Sequence, residues 1–329
     1  MIALAASAWY LPETSLAVSE LPSLSDAERA TCDALGIDRV PADDTLTAAD
    51  LAARAGRRAL ATAGLDARDV DVVLTVEPRA PQTLVSSEAT RLQEMLGAGR
   101  AMAFSVGGLG CASLTPALLA ASGLLRADPD LANVLVLHGS KPATPGRYRH
   151  PVTVNGDSGG ALLLGRSGPV RIRDILLETN GAYADLFHVE YRDEPFPRWR
   201  EECTDQAAYS FRLAVETRNR LRSLVTRLLD RNGLAPADIT CYLTQNLSTA
   251  AFRNWSEAIG APISPVCPEN LARYGHLGPN DVFFNLSSVC EKGQFTDGDR
   301  AVLLNISPAA AWSALLVTTG GGTDSAREL

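Results

Sequence analysis

Apolar and polar positions along this chain fall into helical and strand periods, and one arrangement of them occurs twice. Residues 56–77, GRRALATAGLDARDVDVVLTVE, carry apolar positions at helical spacing, then Gly-Leu, a polar turn closing on Asp, and a short apolar run. Residues 225–246, VTRLLDRNGLAPADITCYLTQN, repeat that order, with Gly64 and Gly233, Leu65 and Leu234, and Asp69 and Asp238 at one constant offset. The spacing predicts an amphipathic helix in each copy. Glycine ends each one, because it enters the left-handed C-cap conformation without steric cost. The runs VDVVLTV and ITCYLTQ are short and rich in β-formers, which predicts buried strands.

The correspondence extends further along the chain. A second helix closes on Leu-Gly-Ala at 96–98 and on Ile-Gly-Ala at 259–261. A strand is predicted at 101–106 and its counterpart around 263–267, each followed by a glycine-bearing segment, GGLGCAS around Cys111 and RYGHLGPND around His276. A helix and a strand follow in each copy, the strands at 133–139 and 300–306, and a last strand closes each at 160–165 and 313–318. The chain therefore reads as α/β, built from two halves, 1–170 and 171–329, with one order of elements. Cys111 and His276 occupy corresponding loops, so a pseudo-twofold arrangement brings them together between the halves.

Composition narrows the function classes. The 329 residues are 46% hydrophobic and 21% charged, enough for a large core in an ordinary globular protein. A net charge of −8 argues against a nucleic-acid binder. No apolar run approaches the roughly 20 residues that span a bilayer. The opening MIALAASAWYLPETS lacks a basic leader and reads as a first strand, not a signal peptide. Six cysteines, at 32, 111, 203, 241, 267 and 290, are scattered without CxxC spacing. That pattern predicts neither a metal site nor a disulfide framework, and points to a reducing cytoplasm.

Cys111 stands out chemically. It follows Gly107, Gly108 and Gly110 and precedes the helical pattern ASLTPALLAASGLL, which places the thiol at a helix N-terminus where the dipole and free N–H groups favour a thiolate. The alternative is an inert packed cysteine. Cys241 and Cys267 belong to apolar strand patterns, Cys290 to a helix, and Cys32 and Cys203 to polar stretches. Of the four histidines, His276 lies in a loop between Gly275 and Gly278, a functional setting. His138 reads as a strand-end residue, His150 as exposed in GRYRHP, and His188 as a packed strand residue or a pocket wall. Asp281, five residues beyond His276, either orients the imidazole or caps the next helix, VFFNLSSVCEKG. The arginine-rich stretch from Arg212 to Arg231 reads as a solvated face, or as a dock for an acidic carrier protein. Phe187, Tyr191, Phe196 and Trp199, in the segment 183–212, read as pocket walls or dimer contacts.

Several of these segments carry a family signature. Tyr10-Leu11-Pro12-Glu13, LGID at 35–38, AFSVGGLGCAS around Cys111, NGDSGGALLL at 155–164 and the closing WSALLV occur in the order found in ketoacyl-carrier-protein synthase III proteins. The chain resembles that branch of the thiolase superfamily over nearly its whole length. The resemblance implies a duplicated five-layered αβαβα thiolase fold, a homodimer, and acyl transfer from a thioester to the cysteine. No tightly bound cofactor is implied; an acyl carrier protein or CoA thioester is the donor.

Departures from the pattern redirect the expected chemistry. The segment that carries the condensing histidine of the family aligns with TQNLS, so Gln245 stands in its place. The family's His-Gly-Asn motif aligns with Tyr274-Gly275-His276, so His276 stands where asparagine is expected. Altering this pair removes the groups that polarise a decarboxylating malonyl thioester. The chain is more similar to a side branch of natural-product acyltransferases, which resemblance implies a Cys111–His276–Asp281 triad that passes an acyl group to a hydroxyl, amine or thiol. The usual glycine loop reads Ser307-Pro308-Ala309-Ala310-Ala311, so the Ala309 amide, with that of Cys111, is the expected oxyanion donor, and Gln245 an expected substrate-positioning group. Asp38-Arg39 displaces the basic residue expected for CoA phosphate contacts, which favours a carrier protein as donor. The competing expectations are a condensing enzyme, a thioester hydrolase, and a non-catalytic partner in a heterodimer or carrier complex.

Overall fold

The computed structural model describes residues 2–22 and 24–320. Nine strands form its main sheet: β1 (Ile2–Tyr10), β2 (Val72–Val76), β3 (Met102–Val106), β4 (Val134–Ser140), β5 (Ser158–Gly165), β6 (Val170–Thr179), β7 (Cys241–Thr244), β8 (Arg300–Ser307) and β9 (Ala311–Thr319). Their order across the sheet is β7-β8-β9-β6-β1-β5-β4-β2-β3. Eight α-helices accompany them among the described residues: α1 (Asp26–Asp33), α2 (Ala48–Ala63), α3 (Glu88–Leu96), α4 (Leu114–Ala127), α5 (Ala214–Asn232), α6 (Thr249–Ile259), α7 (Val266–Tyr274) and α8 (Asp281–Glu291).

The sheet is the same motif written twice. In the first copy β2 runs parallel to β3 and β4, while β5 is antiparallel to β4 and β1. In the second, β7 runs parallel to β8, and β9 is antiparallel to β8 and β6. The two copies join where β1 and β6 pair antiparallel, Ile2 to Leu4 against Ile172 to Val170. Equivalent strands pair antiparallel across that seam, as a local twofold requires.

Local chemistry explains the paired helices. Thr47 and Asp50 form a capping box at the start of α2, and Gly64 ends it at φ 67°. Gly233 ends α5 at φ 63°, while Gly97 and Gly260 do the same for α3 and α6 at 76° and 70°. All four repeat-derived glycine stops thus sit in the left-handed region. Strands β2, β4 and β5 are buried along their whole length, which accounts for their unbroken apolar runs.

One predicted element is absent. Residues 263–267 form no strand; Ile263 alone makes a parallel bridge to Tyr242. Pro265 immediately precedes α7, where a missing N–H is tolerated, and it interrupts any longer ladder. Cys267 consequently lies on α7, fully buried, and not on a strand.

Helix α2 rests backbone to backbone on the first half of the sheet. A Cβ on Gly139 would fall 1.9 Å from the Ala48 carbonyl oxygen, and one on Gly159 would fall 1.9 Å from that of Leu51. Neither neighbour is a side chain that can swing aside. Gly159→Ala should therefore destabilise the fold by on the order of 3 kcal/mol, read as a lowered urea midpoint; an unchanged midpoint would contradict this packing.

Candidate active site

Two turns from opposite halves meet at the site. Strand β3 runs into Gly107 and Gly108, then into a tight 3-10 turn, Gly110–Ala112, that leads to α4. Gly108 and Gly110 have φ of 86° and 52°, and a Cβ on Gly110 would come within 2.8 Å of Ser307 Oγ. Glycine is therefore required there for both conformation and space. Opposite lies the loop after α7. Gly275 has φ 62°, and the His276 amide donates to the Val154 carbonyl at 2.9 Å, while the His276 carbonyl accepts from the Gly156 amide at 3.0 Å. The NGDSGG segment thus clamps His276 from the first half. Asp157 anchors that segment in turn, fully buried and paired with Arg147 at 2.6 Å.

The structure brings Cys111, His276 and Asp281 together. Cys111 Sγ lies 2.9 Å from His276 Nε2, and His276 Nδ1 lies 2.5 Å from Asp281 Oδ2. All three side chains are buried. Asp281 also accepts from the Leu277 amide at 2.8 Å and the Asn246 amide at 2.9 Å. It is the first residue of α8 and makes no side-chain cap there, so its carboxylate serves the imidazole and two loop amides instead. With Nδ1–H donated to Asp281, Nε2 faces the sulfur.

The pair is electrostatically primed. Burial alone would push the Cys111 thiol up; the His276 imidazolium, its hydrogen bond and the Arg149 and Arg79 guanidiniums outweigh that and bring it down to about 6. Burial alone would lower the pKa of His276, but the Cys111 sulfur and the Asp281 carboxylate raise it. Both shifts favour thiolate and imidazolium as the resting pair. By contrast, burial pushes Cys241 and Cys267 up to about 12.

Two other candidates take different positions from those expected. Gln245 is fully buried, its Nε2 donating to the Cys111 carbonyl at 3.1 Å and its Oε1 accepting from the Ile306 amide at 2.9 Å. Both ends hold backbone, so Gln245 fixes the nucleophile's turn and does not face substrate. Ala309 lines the cavity, but its amide donates to Ser307 Oγ at 3.2 Å.

A cavity of about 300 Å³ opens at Cys111, and its walls include residues that the sequence pattern did not single out. Arg79, His138 and Arg149 all line it. His138 lies two residues before the end of β4 and is 3% exposed, so it is not a bland strand end. Its place at the carboxyl end of a parallel strand was the available signal, because ligands bind beyond such ends in α/β sheets. Arg149 pairs with Glu201 at 2.5 Å. Phe187 also lines this cavity, whereas Tyr191, Phe196 and Trp199 form a separate edge-on aromatic group. His188 is exposed, and His150 is half-buried between Tyr148 and Gln206. A larger groove of about 880 Å³ runs past Trp9, Phe284 and Phe295, and none of the three triad residues lines it. The arginine-rich helix is substantially paired with β6: Arg220 and Arg227 bind Glu178, and Arg231 binds Asp174.

Comparison with known proteins agrees with this architecture. The family described as 3-oxoacyl-[acyl-carrier-protein (ACP)] synthase III C terminal matches residues 229–319. The β-ketoacyl-[acyl-carrier-protein] synthase III of Cereibacter sphaeroides is 28% identical over 319 residues, covering 94% of this chain and 96% of that protein. That of Gloeobacter violaceus is 28% identical, covering 93% and 94%. Among solved structures, the acyltransferase ChlB3 superposes with a TM-score of 0.82 at 22% identity, covering 97% of each chain. The 3-oxoacyl-[acyl-carrier-protein] synthase III of Aquifex aeolicus gives 0.79 at 20% identity, covering 97% of this chain and 100% of that one. The fold is the duplicated thiolase fold that the resemblance implied.

The thiolate argument has a direct readout. Alkylation of Cys111 by iodoacetamide, followed by intact mass, should rise through an inflection near pH 6, the depressed value of its thiol. In His276→Ala the inflection should move up toward the ordinary thiol value of about 8.5. An unmoved inflection would mean that His276 does not set the charge on sulfur.

Proposed function

We propose that this chain, which is similar to 3-oxoacyl-ACP synthase III proteins, is an acyltransferase that loads an acyl group onto Cys111 and delivers it to a heteroatom. One observation carries this reading. His276 Nε2 contacts the sulfur with Asp281 behind it, while Gln245, at the place of the condensing histidine, is occupied by backbone. A base is available for an O–H, N–H or S–H, and the pair that would polarise a malonyl carbonyl is not.

The steps balance. The Cys111 thiolate attacks the donor thioester carbonyl, and the departing carrier thiolate takes the proton from His276 Nε2. Cys111 is then a neutral thioester and His276 a neutral imidazole. The acceptor gives its proton to Nε2 as its heteroatom attacks the acyl carbon, and Cys111 leaves as thiolate. The starting ion pair is restored. Asp281 holds the ring and its tautomer through both halves. An acyl carrier protein is the donor that the relatives' names favour, with CoA the alternative, and the protein acts as a homodimer in natural-product biosynthesis.

A second reading, decarboxylative condensation, is favoured by the names of the curated relatives. The two readings separate experimentally. Incubation with acyl-carrier donors should give an acyl mass adduct that is missing in Cys111→Ala. Asp281→Asn should slow transfer on the order of 10⁴-fold by fixing the wrong tautomer. Malonyl donors should release no carbon dioxide; stoichiometric release with a new carbon–carbon bond would install the condensing reading, and no adduct with any donor would sink both.

A further inference from the structure

The walls of the cavity beside Cys111 contain polar groups that the triad does not use. His138 Nδ1 donates to the Val76 carbonyl at 3.0 Å, which leaves Nε2 as a bare acceptor with no partner among the described residues. Burial holds this imidazole neutral, at about 4. Arg79 uses Nη1 on Ser140 Oγ at 3.1 Å and on the Lys141 carbonyl at 3.2 Å, while its Nε and Nη2 are closed to solvent and have no partner. A Cβ on Gly278, which has φ 67°, would lie 3.2 Å from Ser140 Oγ, 3.3 Å from Arg79 Nη2 and 3.5 Å from His138 Nε2, so the lack of a side chain there leaves these polar atoms uncovered. Glu201 neutralises Arg149, but among the described residues no carboxylate pairs with Arg79, and Glu77 on the cavity wall makes no ion pair with it.

A guanidinium shut away from water with donors free is costly unless an anion meets it, and a carboxylate does so best because its two oxygens match the guanidinium fork. The same wall is wrong for an alkyl chain, which would leave the Arg79 guanidinium unsatisfied. The cavity is lined by Cys111 but not by His276, so it offers room for an acyl group held on the sulfur. At about 300 Å³ the space is at the small end for ligand sites.

Resting on the acyl-enzyme reading above, we propose that this cavity selects a short acyl group ending in a carboxylate, with Arg79 as the specificity-determining residue. The test is the first half-reaction alone, with no acceptor, followed by the mass of Cys111. The probes are malonyl-pantetheine and its uncharged shape match, 3-methylbutyryl-pantetheine. Malonyl should load faster, by on the order of 100-fold. In Arg79→Met the ratio of the two rates should fall to near one, and Arg79→Lys should restore part of it. Equal rates in the unaltered protein overturn the proposal. So does a loss in Arg79→Met that slows both donors alike, because Arg79 would then act only on the thiolate. Should Arg79→Met fail to fold, the unaltered protein still decides: free malonate should protect Cys111 from iodoacetamide where 3-methylbutyrate does not, and equal protection overturns the proposal. Loading of 3-methylbutyryl alone refutes the carboxylate and leaves the acyltransferase intact; loading of neither, nor of any other donor, removes the acyl-enzyme reading and this proposal with it.

Discussion

The structure depends on a buried chain of charge that crosses between the two halves: Cys111, His276 and Asp281, each closed off from solvent. Three ionisable groups in a dry interior are tolerable only if every charge has a partner. Sulfur meets Nε2, Nδ1 meets Asp281, and Asp281 takes two further backbone amides. Removing one partner of such a set costs about 3–5 kcal/mol because the remainder stays buried and uncompensated. The requirement reaches outward. Gln245 must hold the Cys111 carbonyl, and the Val154–Gly156 segment must hold His276, or the 2.9 Å contact between sulfur and imidazole drifts.

Close approach is the second constraint, and it explains where glycine is indispensable. Gly110 lets Ser307 sit against the nucleophile's turn, and Gly156 lets the Tyr274 carbonyl pass where a Cβ would be 2.4 Å away. These contacts join segments from different halves, so each is a place where the duplication is locked into register. The pairing of β1 with β6 sets the twofold, and the glycine contacts bring the two loops that it relates into touch.

Much of this was legible in the sequence because duplication makes it redundant. Gly64 and Gly233, read against each other, located two helix ends and the strands beyond them, and the position of His276 opposite Cys111 followed from the shared order of elements. The misreading at 263–267 has a clear cause: one copy keeps a full strand, and in the other Pro265 starts a helix after a single bridge. Arg79 and the backbone-holding role of Gln245 were beyond reach for another reason. A buried glutamine bonded only to backbone looks, in sequence, like one that greets substrate. Arg79 sits in an unremarkable VEPRAP run, and its importance comes only from what does not pair with it. Pairing, burial and the absence of a partner are properties of three-dimensional neighbourhoods, and periodicity carries no trace of them.

The coupling between Cys111 and His276 also supplies an order of events. In the resting state the sulfur's charge is the leading influence that opposes burial and keeps the imidazole protonated. Loading an acyl group removes that charge, because a thioester is neutral. Asp281 still supports the proton, but burial now works against it with less opposition, so the affinity of His276 for a proton falls at the moment the acyl-enzyme forms. A base that was protonated to aid the departing thiol becomes free to take the proton of the acceptor. When Cys111 is expelled as a thiolate, its charge returns and the proton is held again. In the proposed transfer His276 therefore acts as acid and then as base while Cys111 serves as nucleophile and then leaving group, and the timing resides in whether the sulfur carries charge.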